Sequence, residues 1–156
     1  MSRILIYVLL ATYTLPILGS VKLTPFESFK NLKGSWTIKS NNKKLSIKMV
    51  YDTGSRGNIV TENFGKELSV ISKDGESTIL THFCNRGHQS RLKLQKQSSK
   101  EIFIFKSFDR LNLESEKSAY VQKIIYTVKS KSLIDLSIVW LINGKETIEK
   151  YKLLRS

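Results

Sequence analysis

Cysteine, proline and histidine are all scarce in this sequence. Its 156 residues include one Cys, two Pro and two His. A single Cys excludes an internal disulfide framework and any zinc or iron–sulfur site built from several cysteines. Two Pro and eight Gly exclude collagen-like and proline-rich linker material. The length leaves room for one ordinary domain.

Acidic residues are the other scarce class. There are 13 Asp and Glu against 26 Lys and Arg, which gives a formal net charge of +13. Such a charge draws a protein to anionic surfaces such as lipid head groups or polysaccharide. The competing interpretation is that lysines on outward strand faces only keep the sheet soluble. We expect no nucleic-acid partner, because that function needs aromatic residues interleaved with basic ones on one face.

Residues 1–20 contain, in order, the three segments of a secretory signal peptide: a basic start, an apolar run and small residues at the end. Arg3 precedes an uncharged apolar run from Ile4 to Leu18, and Gly19 and Ser20 follow as small residues. The run is short for a helix that must cross about 30 Å of hydrocarbon, and Pro16 interrupts it. We therefore expect a secreted or periplasmic protein whose mature chain, residues 21–156, is a single domain. In an oxidising compartment the unpaired Cys84 is expected to be buried.

The mature chain begins with a helix signal and continues with short strands. Thr24, Pro25 and Glu27 are typical of a capped helix start, so a short helix is predicted before Gly34. About ten strands follow, separated by turns such as Asn143-Gly144. A polar loop is predicted over residues 109–118. This order favours an all-β, antiparallel up-and-down β-barrel, because closure removes exposed strand edges.

Most of the chemically unusual side chains lie in the stretch THFCNRGHQSR, residues 81–91. Alternation puts His82 and Cys84 on one strand face. After the turn, Gln89 and Arg91 share a face, and periodicity does not decide which face points inward.

Three interpretations of this stretch stay open. His82, Cys84 and His88 are residue types that bind transition metals or haem, although no acidic residue lies close by in the sequence. A Cys–His nucleophile pair is the second, although a third group to orient the imidazole is not evident. The third is a hydrogen-bonded polar cluster beneath a hairpin.

The same stretch resembles the motif THYC-x-x-GNQPR of a group of small secreted bacterial proteins of unknown function. The similarity covers Thr81 to Cys84, Gly87, Gln89 and Arg91, and His88 and Ser90 depart from it. Leu32-x-Gly34-x-Trp36 resembles the G-x-W opening of lipocalins and related barrels, and the Asn143-Gly144-Lys145 turn is similar to the D/N-G-K ending of the group. The resemblance spans roughly residues 31–148 and implies a lipocalin-like barrel.

We therefore expect an exported, monomeric, lipocalin-like β-barrel that is not an enzyme. Its expected function is to bind a small apolar or amphipathic ligand in the barrel, with no cofactor and no metal ion. The alternatives are an interaction protein that binds an anionic partner through its basic outer surface, or a haem-binding barrel. The candidate ligand-binding residues are Trp36, His82, Cys84, Gln89 and Arg91.

Overall fold

Ten antiparallel strands close into a barrel in the computed structural model of the chain, which describes residues 24–40, 46–95, 101–115 and 118–156. The elements are helix α1 (Pro25–Lys30) and strands β1 (Gly34–Ser40), β2 (Ser46–Gly54), β3 (Ile59–Phe64), β4 (Glu67–Asp74), β5 (Ser77–Phe83), β6 (Gln89–Leu94), β7 (Ile102–Leu111), β8 (Tyr120–Ser130), β9 (Leu133–Ile142) and β10 (Lys145–Arg155). Each strand pairs with its neighbours in sequence, and β1 closes the barrel against β10. The predicted all-β barrel with a short helix is confirmed.

Alternation of apolar and polar residues determines which side chains fill the barrel. On β1, Trp36 and Ile38 are buried, and Lys39 is exposed. Met49 on β2 lies opposite Trp36 and is also buried. Inward positions therefore form layers of large apolar side chains, as a barrel of this size requires.

The structure confirms one predicted turn and corrects one predicted loop. Asn143 and Gly144 join β9 to β10 with φ values of 50° and 75°, the backbone of a two-residue hairpin turn that favours Asn-Gly. The predicted loop over residues 109–118 is wrong at its start, because β7 continues through Leu111 and pairs with Gln89 of β6. Asp109 and Arg110 lie at the solvent-accessible end of this strand, where strand residues are as polar as those of a loop.

Helix α1 covers one end of the barrel. Thr24 caps it by accepting a hydrogen bond from the Glu27 backbone N–H at 3.3 Å. Its buried Phe29 ring lies 4.9 Å from that of Phe103 and 5.2 Å from that of Tyr126, centroid to centroid. The helix therefore fills this end of the barrel with aromatic side chains.

The opposite end, which we call the mouth, carries the turns β3–β4, β5–β6, β7–β8 and β9–β10. Among the described residues, no helix has the length and apolar character needed to cross a bilayer. The predicted signal peptide, residues 1–20, lies outside the described residues.

Candidate ligand site at the barrel mouth

A row of polar side chains crosses the inner wall of strands β3 to β6. The register places Glu62 opposite Ser69, Ser69 opposite His82, and His82 opposite Ser90. All four residues are buried. Because inward positions of a small barrel are mostly apolar, this row is the unusual feature of the interior.

Glu62 is held at the centre of the barrel by hydroxyl groups. The Tyr51 hydroxyl donates to its carboxylate at 2.7 Å and the Tyr126 hydroxyl at 3.0 Å, and Ser69 also donates to it. Burial raises the pKa of the Glu62 carboxyl, and these three hydrogen bonds offset part of that rise. Burial also raises the pKa values of both tyrosines, so the tyrosines remain hydrogen-bond donors.

His82 lies between this network and the mouth. Its Nδ1 is 3.3 Å from the Ser69 hydroxyl oxygen, and its ring meets that of Trp140 edge to face at 6.2 Å. Burial, and then the nearby His88 imidazole, lower the pKa of His82 from 6.5 to about 4. The imidazole is therefore neutral at neutral pH, and its 3.7 Å contact with the Glu67 carboxylate is not an ion pair.

Glu67 and Cys84 complete the inner edge of the mouth. The Cys84 Sγ lies 3.9 Å from Glu67 Oε1. Burial raises the pKa of Glu67, and hydrogen bonds from the Asn85 backbone and from Cys84 offset part of the rise. Cys84 is only partly buried, which corrects the expectation of a buried cysteine. The tight turn explains this position, because the Gly87 N–H bonds to the Cys84 carbonyl and carries the chain around the rim.

The β9–β10 hairpin supplies the facing wall of the mouth. Its Trp140 indole N–H donates to the Glu149 carboxylate at 2.9 Å, and the Tyr151 hydroxyl donates to the same oxygen at 2.8 Å. Burial raises the pKa of Tyr151, and its hydrogen bond to Glu149 raises that pKa further. These two bonds hold the indole in a fixed orientation at the rim.

The mouth contains a cavity of about 400 Å³. Its walls include Glu67, Cys84, His88, Trp140 and Glu149. A neighbouring cavity of about 310 Å³ shares His88 and lies against the β7–β8 connection. In contrast, the enclosed cavity beneath the mouth, beside Glu62 and His82, measures only about 30 Å³. Two grooves beside α1 at the other end of the barrel measure about 450 and 500 Å³, so the mouth differs from them in its side chains and not in its volume.

The structure separates the five candidate site residues. It places His82 and Cys84 together at the mouth. Gln89 and Arg91 lie on the outer face, because Arg91 pairs with Thr81 and not with His82 in the β5–β6 register. The Arg91 guanidinium binds Asp109 at 3.1 Å outside the barrel. These two residues are therefore not lining groups of the mouth.

Trp36 lies at the other end of the barrel. Its indole N–H donates to the Leu32 carbonyl at 2.8 Å, and the Arg155 guanidinium covers its ring at 4.8 Å. Its role in this position is to fill the end of the barrel beneath α1.

Sequence reasoning did not select Glu67 or Glu149 for the site. Glu67 lies 15 residues before His82 and reaches it through the β4–β5 pairing. Strand alternation places both glutamates on inward positions, but alternation alone does not show that they meet.

Comparison of the chain with models of known protein families gives no match. Comparison with curated proteins gives no significant match either.

Proposed function

We propose that the protein is an exported, non-catalytic binding protein that holds a small amphipathic molecule in the mouth of its barrel. The observation that carries this proposal is the lining of the mouth, where a cavity of about 400 Å³ is bounded by the hydrogen-bonded Trp140 indole and by the Glu67 and Glu149 carboxylates. Sites for small molecules commonly occupy about 300–1,000 Å³. The enclosed cavity of about 30 Å³ has room for about one water molecule. We therefore propose that the ligand binds at the mouth and not in the interior of the barrel.

The side chains of the mouth indicate the chemistry of the ligand. Trp140, Ile142 and Ala119 offer apolar surface, and Glu67 and Glu149 offer carboxylate oxygens. The Trp140 ring is held by its hydrogen bond to Glu149, so it forms a rigid surface on which a flat apolar group packs. A ligand with a flat apolar body and a polar group that donates hydrogen bonds would contact both the apolar side chains and the carboxylates.

Native mass spectrometry of the mature protein, purified from the cells that produce it, tests this proposal. We expect a bound mass of a few hundred daltons on the wild-type protein. Ala119→Trp places an indole in the cavity and should remove that mass. Lys48→Trp, which adds the same side chain on the exposed outer face of β2, should retain it. A clean apo mass for the wild-type protein, or a bound mass that survives Ala119→Trp, would contradict the proposal.

A row of lysines on the outer face favours a second candidate function, the binding of an anionic surface. Lys93 lies directly opposite Lys106, and Lys106 lies directly opposite Lys123. Like charges in direct cross-strand pairs destabilise a sheet. Within the described residues, none of these three lysines forms a salt bridge. An anionic partner would relieve this repulsion.

Co-sedimentation with vesicles that contain phosphatidylglycerol tests the second function. We expect binding at low salt that weakens at physiological salt, because surface charges are screened. Replacing Lys93, Lys106 and Lys123 with Gln should abolish binding. Replacing Lys145, Lys150 and Lys152 with Gln removes the same charge from β10 and serves as the control. Equal loss in both triple variants would show that net charge, and not the lysine row, drives binding.

A further inference from the structure

Three metal-binding types of side chain meet at the inner edge of the mouth. Glu67 begins β4, His82 lies near the end of β5, and Cys84 follows β5 directly. One donor atom from each lies within 4.8 Å of the other two. The Glu67 carboxylate is 3.7 Å from the His82 Nε2 through one oxygen and 3.9 Å from the Cys84 Sγ through the other. Ligands around a tetrahedral zinc ion are separated by about 3.3–3.8 Å, given zinc–ligand bonds of about 2.0–2.3 Å, so the three side chains would move together by about 1 Å or less on binding the ion.

A hydrogen bond at Nδ1 of His82 leaves the other ring nitrogen, Nε2, available to bind a metal ion. The His82 Nδ1 lies 3.3 Å from the Ser69 hydroxyl oxygen, and the tautomer with its proton on Nδ1 donates to that oxygen. In this tautomer the lone pair of Nε2 is free, and Nε2 lies 3.7 Å from the Glu67 carboxylate. Among the described residues, Nε2 has no hydrogen-bond partner, and only 8% of the His82 side chain is exposed. Ligand histidines in metal sites are commonly oriented through their other ring nitrogen in this way.

We propose that Glu67, His82 and Cys84 bind a zinc ion at the floor of the mouth. Imidazole nitrogen, thiolate sulfur and carboxylate oxygen are the three donor types that zinc accepts in proteins. The thiolate and the carboxylate together neutralise the charge of the ion. Three protein ligands leave a fourth tetrahedral position open. Glu67 and Cys84 line the cavity of about 400 Å³ at the mouth, and His82 lines the cavity of about 30 Å³ beneath it.

The donor set distinguishes zinc from other common ions. Calcium and magnesium prefer ligand sets made only of oxygen, so an imidazole and a thiolate do not suit them. Cuprous copper prefers sulfur ligands and gains little from a carboxylate. The proposal goes beyond the binding of an organic ligand, and its test needs no such ligand.

Zinc titration of the mature protein tests the proposal. After reduction and treatment with a chelator, the protein competes for zinc sulfate with a chromophoric chelator, and we expect one ion per chain. Cys84→Ser and Glu67→Gln should each weaken zinc binding by more than about 100-fold. Ser69→Ala keeps all three ligands but removes the group that orients His82, so it should weaken binding by about 10-fold. Circular dichroism confirms that each variant is folded.

Glu76→Gln is the matched control for Glu67→Gln. It removes a carboxylate from the exposed β4–β5 turn at the other end of the barrel and should leave zinc affinity unchanged. Cobalt gives an independent readout, since a thiolate-to-cobalt charge-transfer band should appear in the wild-type protein and vanish in Cys84→Ser. Absence of stoichiometric zinc binding, undiminished binding by the Cys84 and Glu67 variants, or equal loss in Glu76→Gln would overturn the proposal.

Discussion

Glu62 places a carboxyl group deep inside the barrel, where its stability depends on the hydroxyl groups around it. Tyr51 and Tyr126 reach it from different strands, β2 and β8. Removing either hydroxyl leaves a buried oxygen with fewer donors, and unsatisfied buried polar groups cost about 1–3 kcal/mol. We therefore expect Tyr51→Phe and Tyr126→Phe each to lower the free energy of unfolding by about that amount, measured by urea denaturation.

Tyr120→Phe is the control for these two substitutions. Tyr120 is also buried, but its ring packs beneath Arg110 and it does not contact Glu62. Its loss should change the unfolding free energy by less than about 0.5 kcal/mol. If the Tyr120 variant is as unstable as the other two, the hydroxyl network around Glu62 does not stabilise the barrel.

The same carboxyl group should make stability depend on pH. Burial raises the pKa of Glu62 above its ordinary value of 4.5, so the folded state holds this proton at pH values where the unfolded state has lost it. The stabilisation is complete below about pH 4.5 and decreases as pH rises toward the folded-state pKa. Glu62→Gln cannot titrate, so the unfolding free energy of the wild-type protein should fall relative to that of the variant as pH rises.

Urea denaturation of both proteins between about pH 4 and about pH 8 measures this difference. A stability difference that is constant with pH, or one that favours the wild-type protein as pH rises, would show that burial does not raise this pKa.

At the scale of elements, helix α1 covers the closed end of the barrel, and its buried aromatic rings pack against the strands there. Phe29 is 1% exposed and touches aromatic rings from β7 and β8. Phe29→Ala should therefore cost about 3–5 kcal/mol, because it removes a large buried side chain and leaves a cavity. Thermal and urea unfolding measure the loss.

Phe108→Ala makes the same substitution on an exposed ring. Phe108 is 52% exposed and contacts the Arg91 guanidinium on the outer surface, so its loss should cost less than about 1 kcal/mol. Similar costs for the two substitutions would mean that α1 does not stabilise the barrel.

At the scale of the whole molecule, local patterns in the sequence were sufficient to predict the fold class. Thr24 and Pro25 predicted the helix start, and Asn143-Gly144 predicted a hairpin turn, because each depends only on neighbouring residues. On β2, Met49 and Tyr51 are two residues apart and both are buried, as the alternation of a strand requires. These signals repeat along the chain, so ten strands and a closed barrel follow from them.

The site was less predictable, because it depends on register between strands. Alternation paired His82 with Cys84 but did not decide whether Gln89 and Arg91 point inward. That orientation follows from the β5–β6 pairing of His82 with Ser90 and of Phe83 with Gln89. The β4–β5 pairing also brings Glu67 into the site, although the sequence around His82 contains no acid.

The two tryptophans provide the most direct test of ligand binding at the mouth. The Trp140 indole N–H lies in the mouth and donates to Glu149, and the Trp36 indole N–H lies at the closed end and donates to Leu32. In a ¹H–¹⁵N spectrum of a labelled chain of residues 21–156, titration with the amphipathic probe 1-anilinonaphthalene-8-sulfonate should shift the Trp140 indole signal and leave the Trp36 signal unchanged. A shift of Trp36 alone, or of neither signal at saturating probe, would contradict a ligand site at the mouth.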